Sequence, residues 1–404
     1  MKKGGKNWKL LGFVFLLVMY SGFTVMPAAA QDKVYVGVSV PLSGPYSATG
    51  LEYIDGINYA IEEAGGKILG KPLEAVTIDD ENKPGVAARK VQEAIQAKGI
   101  KYFACGVSSG TAMAISQVAN EQKALFITAA AADEITGKQC NRSTFRYIVP
   151  VYGAVRETVI PLIKKFPGQK KWYTITADYL FGHSLLENVK TVFKEFGVEH
   201  VGNDMHPIGH TEFSSFLTKA MAAKADFIIL VSYGQDSVNA LKQAYNFGMT
   251  KKVKFLVPIS DGLRSVIETG VENCAGVYFG AQVWENDQAN PLIRKLNNAW
   301  NEKYKKRPFL THMYSYLMVK MYLLGMEKAG TTNPEAVIKA MEGMKFQGLT
   351  GNEEIRAFDH QVIKKFFLIQ AKEKKDIKGP QDYLNLISSG ISFPSQAESE
   401  CKMK

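Results

Sequence analysis

Strand-like and helix-like patterns alternate through most of this chain, and the alternation restricts its possible folds more than any other feature. Lys33–Val40 is an almost continuous apolar run, Pro41–Gly50 is rich in Gly, Pro and Ser, and apolar residues recur at helical spacing across Leu51–Ala64. Gly65 and Gly66 are expected to end that helix. Strands that alternate with helices predict a parallel sheet covered on both faces, so the fold class is α/β.

The alternation runs through two successive series, which predicts two Rossmann-like lobes with parallel sheets. A chain of 404 residues is too long for one hydrophobic core and suits two domains. In the first series the patterns predict strands at residues 73–79, 101–104 and 124–128 and helices at 85–98 and 110–122. In the second they predict strands at 171–176, 199–205, 226–231, 254–258 and 276–281 and helices at 153–165, 182–196, 211–223 and 236–247. The remaining patterns predict helices at 291–305, 311–329 and 334–342 and a hairpin of 356–358 with 364–371.

The formal net charge of +10 suggests nucleic-acid binding, but the charge is not concentrated in a basic patch. Four lysines lie within the first ten residues, and no acidic residue precedes Asp32. Without residues 1–30 the net charge is +6 and is spread along the chain. We therefore expect no nucleic-acid partner.

The first thirty residues have the three parts of a secretory signal peptide. Lys2–Lys9 is basic, Leu10–Tyr20 is apolar, and small residues end the segment, so cleavage is expected near Ala30. A membrane anchor is the alternative, but the apolar core is shorter than the roughly 20 residues that a membrane-spanning helix needs. The absence of a cysteine near the cleavage point argues against a lipoprotein anchor. The mature protein is expected in the periplasm, where its four cysteines can form disulfides of a connectivity that spacing does not fix.

The segment PLSGPYSATG at residues 41–50, followed by a helix that ends in AGG, resembles the start of a known receptor family. The family comprises the branched-chain amino-acid-binding (Leu/Ile/Val-type) receptors of ABC importers, which have the type I periplasmic binding fold. The likeness runs from about Asp32 to the C-terminus. It implies that residues 32–149 and 282–348 form lobe 1, that 150–281 and 349–385 form lobe 2, and that 386–404 are a C-terminal tail. Three chain crossings would then act as a hinge.

The resemblance also implies a function. The chain would be the periplasmic substrate-binding component of an ABC importer, which closes on a small amino acid or organic carboxylate without catalysing a reaction. Its partners would be this ligand and an ABC permease in the inner membrane, and the protein would be a monomer without cofactor or metal. A ligand sensor for a membrane receptor is the alternative. Such receptors have one cysteine after a loop like Asp133–Gly137 and another near the end, which implies a Cys140–Cys401 disulfide.

The turn at residues 106–111 is expected to hold the carboxylate of the ligand. In the family the second Ser of this turn contacts the ligand, and here that residue is Ser109, with Ser108 and the N–H group of Thr111 nearby. A helix N-terminus offers unpaired N–H groups and the positive end of a dipole, so it holds an anion without a full positive charge. Helix capping by Ser109 is the alternative.

The loop after the next strand departs from the family pattern. Amino-acid receptors use a backbone carbonyl and a Thr hydroxyl here, whereas Ala130 and Ala132 occupy the corresponding positions and offer only their backbone. The missing Thr leaves room for small carboxylates other than branched-chain amino acids. Further candidates from this lobe are Tyr46, Thr49, His312 and Tyr314.

The second lobe is expected to supply aromatic side chains that cover the ligand. Asp178–Gly182 is similar to a D-x-x-[YF]-G turn of the family, which assigns Tyr179 and Phe181 to this role, and Tyr233 matches another ligand-contacting position. Asp261 lies near the place where amino-acid receptors carry a Glu that pairs with the ammonium group. A turn or helix-capping role is the alternative for Asp261.

A secreted α/β serine esterase that uses Ser108 is the alternative from another class. Residues 106–110 match G-x-S-x-G, the nucleophile elbow of α/β-hydrolases. A hydrolase of that fold does not need a second lobe, and none of the six histidines has a setting that marks it as a base. His200, His206 and His210 lack regular ligand spacing, so no metal site is expected.

Overall fold

The protein has two large β-sheets, and the strands of the first lie between residues 34 and 146. The structure is a computed structural model that describes Met1 and residues 33–403. Its strands are β1 (Val34–Val40), β2 (Lys67–Ile68), β3 (Lys71–Asp79), β4 (Tyr102–Cys105), β5 (Leu125–Thr128) and β6 (Thr144–Arg146). The helices between them are α1 (Ser47–Glu63), α2 (Pro84–Lys98) and α3 (Ser109–Glu121). The strand order is β2-β3-β1-β4-β5-β6, and every pair is parallel except the β2–β3 hairpin.

The loop after β1 is shorter than the sequence predicts. Helix α1 begins at Ser47 rather than Leu51, so only Pro41–Tyr46 remain outside regular structure. Gly44, with a φ of 77°, turns the chain, and the N–H of Gly50 already donates to the carbonyl of Tyr46 at 2.9 Å. The first helical turn was not predicted, because the Gly and Ser residues of this stretch are more typical of loops.

The second sheet forms from the second βα series and two late strands. Its first elements are α4 (Val151–Lys165), β7 (Lys171–Ala177), α5 (Leu180–Phe196), β8 (Glu199–His206), α6 (Ser214–Ala222), β9 (Phe227–Val231), α7 (Gln235–Asn246), β10 (Lys254–Val257), α8 (Leu263–Thr269) and β11 (Tyr278–Ala281). Helix α8 was not predicted from the sequence. Strands β7 to β11 are parallel, as the apolar runs predicted.

The chain then returns to the first sheet before it ends on the second. The returning elements are α9 (Pro291–Tyr304), α10 (Leu310–Ala329), α11 (Pro334–Met341), β12 (Lys345–Gly348), β13 (Gly351–Ile355), β14 (Val362–Ile363), β15 (Phe366–Ala371) and β16 (Leu384–Gly390). Helix α10 packs against α1 and β4, whereas β15 and β16 extend the second sheet to the order β16-β15-β11-β10-β9-β7-β8. We call the six-stranded sheet with α1–α3 and α9–α11 the first lobe, and the seven-stranded sheet with α4–α8 the second lobe.

The chain passes between the sheets three times, and the predicted two-lobed α/β fold is confirmed. The passages follow β6, β11 and α11. The predicted hairpin of 356–358 with 364–371 is wrong, because β13 and β14 pair with each other and β15 pairs with β11 and β16. The predicted lobe boundaries stay a prediction, although β16 continues past the expected start of the tail at residue 386.

The predicted Cys140–Cys401 disulfide is present, and it links residues 261 positions apart in the sequence. Cys105 and Cys274 are free and buried. The predicted signal peptide lies outside the described residues, apart from Met1. Among the helices of the described part, none has both the length and the apolar character needed to cross a membrane.

Candidate functional site

The strand orders of the two lobes direct their loops to one cavity. In the first lobe β1 lies between β3 and β4, and in the second lobe β7 lies between β8 and β9. At such a switch point, the loops at the carboxyl ends of the strands diverge and leave a crevice for a ligand. About 500 Å³ of space free of atoms, part of it continuous with solvent, lies among these loops. Its lining residues are Tyr46, Tyr53, Val107, Ser109, Ala129, Ala131, Ile148, Tyr179, Phe181, Tyr233, Ile259, Ser260, Gln282, Leu310 and Tyr314.

Ser108 and Ser109 have separate partners at the start of α3. Ser108 is the N-cap residue, and its hydroxyl accepts a hydrogen bond from the N–H of Thr111 at 3.3 Å. Ser109 lines the cavity, and its hydroxyl oxygen accepts from the N–H of Ala132 at 3.2 Å. The Ser109 proton therefore remains available for a ligand. Ser108 and Thr111, also predicted to contact the ligand, do not line the cavity and are hydrogen-bonded to each other.

Backbone strain marks the turn that carries these serines. Cys105 has a φ of 89°, in the left-handed region that residues other than glycine rarely adopt, and Gly106 follows with a φ of 64°. A side chain at Gly106 would meet the Cα atom of Ala112 at 3.0 Å, so glycine allows α3 to lie close to the strand. Such strain is concentrated at functional sites, where the surrounding fold enforces it.

The alanine loop after β5 faces the cavity with different residues than predicted. Ala129 and Ala131 line the space, whereas Ala130 and Ala132 do not. The backbone of Ala132 already has partners, because its N–H donates to Ser109 and its carbonyl accepts from the guanidinium of Arg146. Arg146 thereby holds the loop after β5 in position through the carbonyl of Ala132.

Aromatic side chains from both lobes close over the cavity. The hydroxyl groups of Tyr46, from the first lobe, and Tyr179, from the second, are 3.1 Å apart. The ring centroids of Tyr46 and Tyr233 are 5.9 Å apart, and those of Tyr179 and Phe181 are 5.7 Å apart. Burial raises the pKa of Tyr46 and of Tyr179 well above the ordinary value, so both phenols stay protonated and can donate. The structure therefore brings these four predicted aromatic candidates together, and a fifth, Tyr314, also lines the cavity.

Asp261 lies behind this aromatic wall rather than in it. Its carboxylate accepts hydrogen bonds from the hydroxyl of Tyr233 and from the guanidinium of Arg264. Thr49, another predicted ligand contact, does not line the cavity either, because its hydroxyl accepts from Arg264 at 2.7 Å. Asp261 is 1% exposed and Arg264 is 5% exposed, so this ion pair is almost completely buried.

Glu52 joins the same group from α1. The Nε atom of Arg264 is 3.6 Å from the carboxylate of Glu52, which also accepts a hydrogen bond from the hydroxyl of Thr311. Burial raises the pKa of Glu52 to about 8, an effect that the nearby guanidinium only partly opposes. Arg264 therefore connects α8 of the second lobe with α1 of the first lobe.

Comparisons with known proteins identify the family of this chain. A sequence profile described as periplasmic binding protein matches residues 33–376. The chain belongs to the periplasmic binding protein family. The family resemblance predicted from the sequence is thus confirmed.

Individual relatives of this periplasmic binding protein match along most of their length. The Leu/Ile/Val-binding protein homolog 7 of Brucella suis is 27% identical over 341 residues, which cover 80% of this chain and 83% of that protein. The leucine-, isoleucine-, valine-, threonine-, and alanine-binding protein of Pseudomonas aeruginosa is 24% identical over 360 residues, which cover 87% and 92%. The crystal structure of an amino acid ABC transporter substrate-binding protein from Pseudomonas fluorescens is similar with a TM-score of 0.87 and 40% identity, covering 92% of this chain and 99% of that one.

Several residues of this periplasmic binding protein's site were missed in the sequence. The sequence patterns do not point to Glu52, Tyr53 or Gln282 as site residues, and Arg264 lies in helix α8, which was not predicted. Asp261 and Arg264 are only three positions apart, a spacing that allows an ion pair across the turn that begins α8. No sequence signal predicts that Glu52 contacts Arg264, since they are 212 positions apart in the sequence.

Proposed function

We propose that this periplasmic binding protein is the substrate-binding component of an ABC importer for a small amino acid or organic carboxylate. It captures the ligand between its lobes, closes about the hinge and delivers the ligand to an inner-membrane permease. It acts in the periplasm as a monomer, after cleavage of its signal peptide near Ala30. The observation that carries the proposal is a cavity lined from both lobes, with the hydroxyl of Ser109 and the N-terminus of α3 on one side.

The chemistry of the cavity suits a carboxylate with an apolar or aromatic body. Ser109 donates its free proton to a carboxylate oxygen, and the positive end of α3 adds electrostatic stabilisation. Tyr179, Phe181 and Tyr233 provide ring surface for the remainder of the ligand. Closure is driven because the ligand reaches both sets of groups only in the closed state, which gives that state the higher affinity.

The names of the relatives support the same class. The Pseudomonas fluorescens protein is called an amino acid ABC transporter substrate-binding protein, and the Brucella and Pseudomonas aeruginosa proteins are named for binding amino acids. The esterase alternative is not favoured, since the hydroxyl of Ser108 is engaged as a helix cap with Thr111. We infer that no bond is made or broken in the ligand.

A thermal-shift screen of the mature protein tests the proposal. The panel contains amino acids and aliphatic or aromatic carboxylates, together with neutral amides of the same carbon skeletons. A ligand at 100 times its Kd adds roughly 2.7 kcal/mol of stability and raises Tm by several degrees. We expect shifts with carboxylates and none with the matching amides. If no carboxylate shifts Tm, or if the amides shift it equally, the proposal is wrong.

A further inference from the structure

The cavity lacks a charged partner for an ammonium group. Among the described residues that line it, none has a carboxylate or a basic side chain, and the polar side-chain groups are hydroxyls and one amide. The amide of Gln282 is already paired with the backbone of Val149 through both of its polar atoms, at 2.8 and 3.0 Å. The hydroxyl of Ser260 donates to the carbonyl of Gly280 at 2.9 Å. A buried ammonium group needs compensation for its charge as well as acceptors for three protons, and none of these side chains carries a negative charge.

Asp261, the carboxylate that is hydrogen-bonded to the cavity residue Tyr233, is itself paired with the guanidinium of Arg264. Its two oxygens accept from Tyr233 and Arg264, and its N–H donates to the hydroxyl of Ser265 at 3.0 Å. Tyr233 therefore lines the cavity, and the negative charge of Asp261, to which its hydroxyl donates, is compensated by the buried guanidinium of Arg264. This arrangement offers a ligand a neutral wall.

Arg264 is held in place by both lobes. Thr49 accepts from its guanidinium at 2.7 Å, and the carboxylate of Glu52 is 3.6 Å from its Nε atom. The third acid beside it, Glu268, is 3.6 Å from the guanidinium and has a side chain that is 34% exposed, so water screens its charge. The contact with α1 fixes Arg264 beside Asp261 when the lobes are together.

We propose that Arg264 is the positioning residue that sets ligand class, because it neutralises Asp261 and so makes the closed cavity select carboxylates that lack an ammonium group. The proposal rests on the proposed ligand-binding function and deepens it. It does not require Arg264 to touch the ligand. Arg264 acts on the ligand indirectly, by compensating the charge of Asp261, which is hydrogen-bonded to the cavity residue Tyr233.

Calorimetric titration of the wild-type protein with matched ligand pairs is the first test. Each pair shares a carbon skeleton and differs by the amine, as with L-leucine and 4-methylpentanoate or L-phenylalanine and 3-phenylpropanoate. For the pair whose carbon skeleton fits the cavity, we expect the amine-free acid to bind at least about tenfold tighter than the amino acid, which is equivalent to about 1.4 kcal/mol in binding free energy. Equal or tighter binding of the amino acid overturns the inference but leaves the proposed function intact. Failure of every carboxylate to bind overturns both.

The second test measures how the ratio of the two affinities changes on substitution. Arg264→Met uncovers the charge of Asp261, so the preference for the amine-free ligand should fall about tenfold or reverse. Arg264→Lys retains a cation and should keep the preference. In the double variant Arg264→Met/Asp261→Asn the gain in amino-acid binding should disappear. A ratio that is unchanged in Arg264→Met overturns the inference.

A matched control separates charge from general destabilisation. Arg156→Met removes another partly buried arginine of the second lobe, whose guanidinium pairs with Glu195 at 2.9 Å, and the ratio should stay at its wild-type value. Circular dichroism establishes that each variant is folded. If Arg264→Met does not fold, the inference is still tested by titrating the wild-type protein and Arg264→Lys with the matched ligand pairs. Loss of the preference for the amine-free ligand in Arg264→Lys would count against the inference.

Discussion

At the scale of single residues, Ser108 and Ser109 show how adjacent positions with the same side chain acquire different roles. Ser108 has an extended backbone and caps α3, whereas Ser109 is the first helical residue and faces the cavity. Both are buried, so exposure does not distinguish them. The distinction follows from the direction that each side chain takes at a helix start, which composition and spacing do not reveal.

Substitution of each serine by alanine should separate stability from ligand binding. Ser108→Ala removes the cap and should lower the free energy of unfolding by about 0.5–2 kcal/mol. Ser109→Ala removes a hydrogen bond to a charged ligand group, worth about 1.5–3 kcal/mol, so Kd for a carboxylate should rise tenfold or more. Denaturant unfolding of the free protein and calorimetric titration measure the two effects. A larger loss of affinity in Ser108→Ala than in Ser109→Ala would contradict the assignment.

Glu52 makes stability depend on pH. Its pKa is about 8 in the folded protein and 4.5 as the ordinary value, so between these values the folded state binds more protons than the unfolded state. Stability from this group is therefore greatest at low pH and falls as pH rises from about 4.5 to 8. In Glu52→Gln, which keeps an oxygen acceptor for Thr311, the loss of stability between pH 5 and 8 should be smaller. Urea midpoints at pH 5, 6, 7 and 8 measure it, and identical profiles would refute the assignment.

At the scale of secondary-structure elements, one buried carboxylate organises two helix starts. The oxygens of Glu285 accept from the N–H of Leu263, the first residue of α8, and from that of Leu310, the first residue of α10, each at 2.9 Å. A helix N-terminus has unpaired N–H groups that an acid satisfies well. Helix α8 thus depends on a side chain that is distant in sequence.

Glu285→Gln should uncouple the two helices, because an amide offers only one acceptor oxygen and turns an N–H₂ group toward one of the donors. We expect a loss of about 1–3 kcal/mol in the free energy of unfolding. Glu272→Gln is the matched control, since Glu272 forms an exposed ion pair with Lys374 and should contribute less than about 1 kcal/mol. Equal effects of the two substitutions in urea unfolding would exclude the capping role.

Elements that depend on local periodicity were predictable, and those that depend on distant partners were not. The strands and helices of both βα series follow apolar spacing and lie close to their predicted bounds, because each element buries a continuous face. Helix α8 depends on Glu285, and β12–β14 are short strands that pair only with one another. In the site, Ser109 and the aromatic residues follow strand ends and were expected, whereas Glu52 and Arg264 meet only through the folding of the whole chain.

At the scale of the whole molecule, the phenol pair of Tyr46 and Tyr179 reports on the approach of the lobes. Its two members belong to different lobes, and their oxygens are 3.1 Å apart. A second pair, Tyr53 and Tyr314, has oxygens 3.3 Å apart but lies entirely in the first lobe. The two pairs have the same chemistry and differ in whether closure is needed to form them.

A double-mutant cycle with Tyr→Phe substitutions should therefore give different results for the two pairs. For Tyr46 and Tyr179 we expect a coupling energy of about 0.5–1.5 kcal/mol in ligand binding, because their hydrogen bond forms on closure. For Tyr53 and Tyr314 the coupling should appear mainly in the stability of the free protein. Ligand titrations and urea unfolding of the single and double variants provide both energies. Coupling in binding that is equal for the two pairs would contradict a closure contact.

The division of the cavity between two lobes has a consequence for how such a receptor diversifies. On the proposed function, anion recognition is encoded in the turn after β4, and the second lobe's share of the cavity lining is encoded in separate loops after β7, β9 and β10. A duplicated gene can accumulate changes in those three loops while the anion-holding turn and the crossings between the sheets are inherited unchanged. New ligand preferences would then be reached by a few substitutions, and a permease that binds the closed form, as we propose, would need no parallel change.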